Sequence, residues 1–309
     1  MILVYCSRKE IGQNWAKAVA AEFGEDKVFL RKDLPDPNKI KIALSWKAPV
    51  RMLQEYPNLK LIQSLGAGVD HIFDADNVVG GAKVARIVDP QLSEDMFEFV
   101  LAIVLNKMKN LHKYRDQQRS MIWKEKRYRS ISDVKLGILG LGVIGTLVAQ
   151  KLAAIGFDCM GWSGSEKNIE GVKSYIGNEG LNDMLAQTDF LINILPLTNA
   201  TRGFININLL RKLKTGAYVI NVGRGPHVVD QDILKAIEER MISGAALDVF
   251  HEEPLPLDHP FWVNENIVLT PHIASITNIK TAREQIFENI RRFLNGEKVL
   301  NEVSVEKGY

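Results

Sequence analysis

Midway along the chain, the apolar run Leu136-Gly137-Ile138-Leu139 leads into Gly140-Leu141-Gly142-Val143-Ile144-Gly145, and a helical stretch then continues to about Ile155. No other feature narrows the possible folds so far. Glycines at this spacing also mark ordinary turns, but a set that closes a strand and opens a helix is the phosphate loop of a parallel α/β domain. The first glycine permits a tight turn, the second lets backbone approach a pyrophosphate, and the third lets helix and strand pack. The phosphate then meets the positive end of the helix.

The fingerprint starts near residue 140, so another unit precedes it. Short apolar runs at Ile2–Tyr5, Val28–Leu30, Ile40–Leu44, Leu59–Gln63 and Val84–Val88 alternate with helical or loop segments, as in a parallel-sheet protein. Pro90 to Leu111 carries an apolar face at helical spacing, with Ser93 as the expected N-cap. Beyond the fingerprint, strands are expected at Asp158–Gly161, Phe190–Leu195, Ala217–Val222, Ala245–Val249 and Ile267–Leu269, and an amphipathic helix from Asn278 to Leu294. The fold class is therefore α/β: two Rossmann-like or flavodoxin-like doubly wound parallel-sheet domains with a cleft between them. The expected division is 1–92 with 278–309 for one domain and 93–277 for the other.

Lysine and arginine total 39 against 37 aspartate and glutamate, a balance that offers no global field for nucleic acid or a membrane surface. Nine basic residues between Lys107 and Arg129 are interleaved with Tyr114, Trp123 and Tyr128. In a near-neutral chain that segment reads as a solvated arm whose aromatics pack on a partner subunit. Two cysteines, Cys6 and Cys159, are too few for a disulfide framework or a thiolate metal site. A soluble, cytoplasmic protein with a small-molecule partner and no metal is expected. The charged Arg8-Lys9-Glu10 follows the first apolar run too soon for a signal peptide.

Three polar residues each follow an apolar run in the last third: Arg224 in Asn-Val-Gly-Arg-Gly, Glu253 in Asp-Val-Phe-His-Glu-Glu-Pro, and His272 in Thr-Pro-His-Ile-Ala-Ser. Strand ends are where an α/β sheet offers side chains to a ligand. A guanidinium matches a carboxylate bidentately, a histidine is a proton donor, and a glutamate can fix that histidine's tautomer. Together they are the parts needed to reduce the carbonyl of a small 2-oxo acid. His71, His112, His227, His251 and His259 lack this context and read as structural.

The acidic residue expected about 20 positions beyond the fingerprint, where it would grip a ribose 2′-hydroxyl, is replaced by Ser163 after Cys159-Met160-Gly161-Trp162. Ser163, Ser165 and Lys167 suit a 2′-phosphate, which favours NADP(H), with NAD(H) as the alternative. The loop has no arginine, the better phosphate fork.

These segments, with Leu65-Gly66-Ala67-Gly68-Val69-Asp70, Asn193-Ile194-Leu195-Pro196-Leu197-Thr198 and the closing Gly308-Tyr309, resemble the D-isomer-specific 2-hydroxyacid dehydrogenases over essentially the whole chain. The nearest resemblance is to members that reduce glyoxylate and hydroxypyruvate. It implies an outer substrate domain built from both chain ends, a central coenzyme domain, and a homodimer formed through the latter. It also implies that Arg224 binds substrate, Glu253 assists His272, and His272 donates the proton. Backbone amides of Gly66, Ala67, Gly68 and Val69 would hold the substrate carboxylate. Trp46 resembles the tryptophan that closes this subfamily's pocket against small substrates, beside the alternative of a packing aromatic. The dinucleotide would lie against Gly140–Gly145, Leu195, Pro196, Thr201, Val222, Gly223 and Asp248, including Leu141, Val143 and Ile144 of the fingerprint, with Asp248 facing the nicotinamide amide. Another 2-oxo acid, such as pyruvate or phenylpyruvate, and a dinucleotide-sensing interaction module stay open as alternatives.

Overall fold

The computed structural model describes residues 1–33 and 36–304; the closing Gly308-Tyr309 pair lies outside the described residues. The chain divides into two compact units, Met1–Gln91 with the segment from Thr277 onward, and Leu92–Ile276.

The first unit opens with strand β1 (Ile2–Cys6), helix α1 (Lys9–Phe23), β2 (Val28–Leu30), β3 (Ile42–Trp46), β4 (Leu61–Ser64), the short helix α2 (Asp70–Phe73) and β5 (Lys83–Ala85). Its strands form a wholly parallel sheet in the order β2-β1-β3-β4-β5. Strand β5 is shorter than the apolar run Val84–Val88 suggests. Tertiary partners take the backbone instead: Arg86 N–H donates to Asn301 O and Ile87 N–H to Gly66 O.

Helix α3 (Pro90–Met108) leads into the second unit, followed by α4 (Leu111–Arg119), β6 (Lys135–Leu139), α5 (Val143–Ala154), β7 (Asp158–Trp162), β8 (Val172–Tyr175) and α6 (Gly177–Leu185). Then come β9 (Phe190–Asn193), α7 (Ile207–Leu210), β10 (Ala217–Asn221), α8 (Asp230–Glu238), β11 (Ile242–Leu247) and β12 (Ile267–Leu269). Ser93 is not the cap of α3. It is buried a turn inside, and the carboxylate of Asp89 accepts from Gln91 N–H instead, because Pro90 can start a helix without needing its own N–H.

The second sheet is also parallel, in the order β12-β11-β10-β9-β6-β7-β8. Its strand order reverses between β6 and β9, the topological switch point at which open α/β sheets bind ligands. Alternate residues feed two cores. In β10, Ala217 and Val219 join the apolar cluster of α6, α7 and α8, whereas Tyr218, Ile220 and the following Val222 join that of α3 and α5. Burial on both faces is why these strands read as continuous apolar runs.

At the opposite end of that sheet, Asp189 is buried and accepts from Arg129 (2.9 Å), Lys214 Nζ (2.7 Å) and Lys135 N–H (2.9 Å). Burial alone would raise its carboxyl pKa, but the hydrogen bonds from Arg129, Lys214 and Lys135 win and hold it below the ordinary 3.8. A depressed folded-state pKa stabilises fully above the unfolded value, and that contribution disappears as pH falls through the folded value. Asp189→Asn is therefore expected to cost about 2–3 kcal/mol at pH 7. The difference should close below pH 3.8, which urea unfolding of both proteins across that range will measure. A pH-independent difference would contradict this account.

Helix α9 (Ile279–Leu294), capped by the Asn278 side chain on Lys280 N–H, belongs with the first unit. Asn289 on its buried face donates to Gln63 of β4 at 2.8 Å, and Gln285 accepts from Val88 N–H at 3.0 Å. Among the described residues no helix is long and apolar enough to cross a membrane.

Candidate active site

Arg224 follows β10, Glu253 follows β11 and His272 follows β12. These strands are consecutive neighbours running parallel, so their carboxyl ends lie side by side at about 4.8 Å spacing. The topology gathers three residues spread over 49 positions of sequence onto one sheet edge.

His272 Nδ1 lies 2.9 Å from Glu253 Oε2 and 3.1 Å from Oε1, with both side chains about one-fifth exposed. A carboxylate accepts only, so Nδ1 carries a proton. Nε2 makes no hydrogen bond to the described residues. Glu253 is itself held by Phe250 N–H at 3.2 Å. His272 has φ +55°, an unusual backbone for a non-glycine residue, and its turn is held by Asp248. The Asp248 carboxylate accepts from Thr270 Oγ1 (2.6 Å), Ile273 N–H (2.9 Å) and Ala274 N–H (2.9 Å), while its carbonyl accepts from His272 N–H (2.8 Å). Asp248, assigned to the nicotinamide by resemblance, is thus 2% exposed and fixes the backbone that aims His272.

The Arg224 loop packs tightly against the loop that bears Glu253. A β-carbon on Gly225 would collide with the backbone of Phe250 and His251, so only glycine permits this approach. Arg224 Nη1 donates to Gly223 O at 2.7 Å. Beneath lies a buried polar cluster. Asn193 and Asn221, paired at the ends of β9 and β10, join through Asn193 Nδ2 to Asn221 Oδ1 (2.9 Å). Asn221 Nδ2 donates to Arg224 O (2.9 Å). His227, fully buried, accepts at Nδ1 from Arg224 N–H (3.1 Å) and Asn193 Nδ2 (2.9 Å). Its proton therefore sits on Nε2, which donates to Pro196 O (3.2 Å). The neutral ring ties the arginine loop to the Leu195–Pro196 loop. Sequence reading assigned His227 a merely structural place and passed over both asparagines. The clue was the repeated pattern of an apolar strand ending in asparagine, Leu-Ile-Asn and Val-Ile-Asn.

The fingerprint has the geometry its glycines imply. Gly140 has φ +100°, and a β-carbon there would press on the Ile194–Leu195 backbone at 3.1 Å. A β-carbon on Gly145 would strike the Gly140 carbonyl. Gly142 has open space where its β-carbon would be and caps α5 with no side-chain acceptor, leaving the amino end of the helix available to an anion. Leu141 is buried, Val143 is exposed, and Ile144 packs against the α3/α5 core. Beyond β7, Ser163 Oγ donates to Ser165 O at 2.7 Å, closing a small turn. Lys167 is exposed on the same loop and its ammonium makes no ion pair with the described residues. Thr201 Oγ1 donates to Pro196 O at 2.7 Å, and Leu195 and Val222 line the strand ends beside it. An anion-ready helix end, with Ser163 rather than a carboxylate at the end of β7, fits a phosphorylated dinucleotide.

In the first unit, Trp46 ends β3 and Gly66–Val69 follow its neighbour β4. The tryptophan ring lies against Gly66, where a β-carbon would run into it. Gly66 N–H donates to Ser64 Oγ at 3.2 Å and so is already engaged. The backbone N–H groups of Ala67, Gly68 and Val69 make no hydrogen bond with the described residues, which leaves these three as the loop's donors for an anion.

A model of the family described as "D-isomer specific 2-hydroxyacid dehydrogenase, NAD binding domain" matches residues 101–274. The chain is 38% identical over 279 residues to the glyoxylate/hydroxypyruvate reductase A of Yersinia enterocolitica, covering 89% of each. It is 40% identical over 272 residues to that of Photorhabdus laumondii, covering 86% of this chain and 87% of the relative. Among solved structures, a D-isomer specific 2-hydroxyacid dehydrogenase from Xanthobacter autotrophicus Py2 in complex with NADPH and MES superposes with a TM-score of 0.92 at 39% identity, covering 100% of this chain and 99% of the other. An NADPH-dependent glyoxylate/hydroxypyruvate reductase from Sinorhizobium meliloti, in complex with NADP and sulfate, gives 0.91 at 33% identity with the same coverage.

Proposed function

The chain belongs to the D-isomer-specific 2-hydroxyacid dehydrogenases, and from that premise we propose that it reduces glyoxylate to glycolate and hydroxypyruvate to D-glycerate with NADPH. The observation that carries the reading is the His272–Glu253 pair, which fixes one ring nitrogen at 2.9 Å and leaves the other disengaged. When bound, NADPH supplies the hydride that reaches the carbonyl carbon. Negative charge then develops on the carbonyl oxygen, and His272 Nε2 gives it a proton. Glu253 stabilises the imidazolium beforehand and keeps the ring oriented afterwards. Arg224 takes the substrate carboxylate and draws charge toward the carbonyl oxygen. The amides of Ala67, Gly68 and Val69 also take the carboxylate, and Trp46 belongs to the substrate wall.

The dinucleotide's pyrophosphate is assigned to Gly140–Gly145, and the 2′-phosphate to Ser163, Ser165 and Lys167. Supporting a homodimer, Met121 is 94% exposed and Trp123 fully exposed on the segment after α4, an unusual position for large apolar side chains. A cytoplasmic setting rests on the free thiols of Cys6 and Cys159.

The test is NADPH oxidation with glyoxylate, hydroxypyruvate, pyruvate and phenylpyruvate, run beside NADH on a preparation whose mass is measured by light scattering. Expected are turnover with the first two acids, a higher kcat/KM for NADPH than for NADH, and twice the monomer mass. Tight dinucleotide binding without turnover on any acid would overturn the enzymatic reading. A monomer mass would remove the dimer.

A further inference from the structure

A second histidine, outside the catalytic trio, adjoins the Gly66–Val69 loop through Ser64. His71, in α2, accepts from Lys47 N–H at Nδ1 (3.2 Å), so its proton lies on Nε2. Nε2 faces Ser64 Oγ at 3.2 Å and donates to it. Ser64 Oγ also accepts from Gly66 N–H (3.2 Å) and donates its own hydrogen to Gly68 O (2.8 Å). These donors and acceptors match one another with the proton on Nε2. The imidazole also packs edgewise with the Trp46 indole, with centroids 4.6 Å apart and planes at 61°. One ring therefore touches three things at once: the backbone just after Trp46, the Trp46 ring itself, and the serine that pins both sides of the Gly66–Gly68 turn.

We propose that His71 is the positioning residue that sets substrate size and carboxylate binding, by holding Trp46 and the Gly66–Gly68 turn as one rigid surface. This rests on the assignment of Trp46 and the Ala67–Val69 amides to substrate. Turning those amides toward a carboxylate requires the carbonyl of Gly68 to turn away, and Ser64, fixed by His71, takes that carbonyl. Trp46 excludes bulk only while its indole cannot swing. Gly66 and His71 both pack against it.

The two contacts separate by substitution. His71→Ala removes both the ring and the donor. His71→Gln offers an amide N–H to Ser64 but no aromatic wall. For His71→Ala the KM for glyoxylate should rise about tenfold or more, the loss of one buried hydrogen-bond partner. Its kcat and its KM for NADPH should stay near wild type. The ratio of kcat/KM for glyoxylate to that for phenylpyruvate should fall. In His71→Gln the glyoxylate KM should recover toward wild type while the ratio stays low. That split between KM and selectivity is not what general unfolding gives. Calorimetric binding of oxamate, an unreduced carboxylate analogue, to the NADP+ complex makes the same comparison without turnover, so an inactive wild type would sink the enzymatic reading without deciding this one. Unchanged oxamate affinity and unchanged selectivity in His71→Ala would overturn the proposal, as would equal losses for oxamate and NADPH.

Discussion

Replacing His272 with alanine is expected to lower kcat for glyoxylate by about 10²–10⁴-fold, the contribution of a positioned general acid, while NADPH binding stays intact. The expectation follows from geometry. Glu253 occupies Nδ1, so the only proton available to a substrate oxygen from this ring is the one on Nε2. Position 272 has φ +55°, a left-handed backbone that histidine and asparagine adopt more readily than alanine, so alanine also burdens the turn. His272→Asn separates the two effects, since asparagine tolerates this conformation but is no acid. Both variants should lose turnover alike, and both should bind NADPH as the wild type does by fluorescence titration. Near-wild-type kcat in His272→Asn would remove His272 from the chemistry and leave the Glu253 pair as a structural contact.

The fold was legible where burial on both faces writes an unbroken apolar run, as at Leu136–Leu139 and Ala217–Val222. It was not legible at β8, an edge strand with Lys173 exposed and only Tyr175 buried, where neither alternation nor a run survives. The cap of α3 was misplaced for a local reason: Ser93 fits an N-cap by residue type, but Pro90 lets the helix begin a turn earlier under Asp89. Arg224, Glu253 and His272 were visible because each follows a strand, and parallel order alone puts their strand ends together. The supports were not visible. His227 reaches Asn193 and Pro196 across more than 30 positions, and His71 reaches Lys47 across 24. A histidine's role is set by partners that folding brings to it, and no spacing in the sequence encodes them.

Arg224 offers the second large effect, and here the question is what the guanidinium binds. Arg224→Ala should reduce kcat/KM for glyoxylate by about 3–5 kcal/mol, or 10²–10⁴-fold, if two charge-assisted hydrogen bonds to a carboxylate are lost. Arg224→Lys keeps the charge but not the planar fork and should fall between. The loop itself should survive, because its hold on the fold runs through backbone atoms: Arg224 N–H to His227, Arg224 O from Asn221, and Gly225 against Phe250. Side-chain removal touches none of these, so the KM for NADPH should hold. A carboxylate-free aldehyde isolates the clamp. If the guanidinium serves the carboxylate, the alanine substitution should penalise acetaldehyde far less than glyoxylate, and added guanidinium should restore glyoxylate reduction in part. Equal penalties on both substrates would instead assign Arg224 to the carbonyl oxygen alone, and the carboxylate would then rest on the Ala67–Val69 amides.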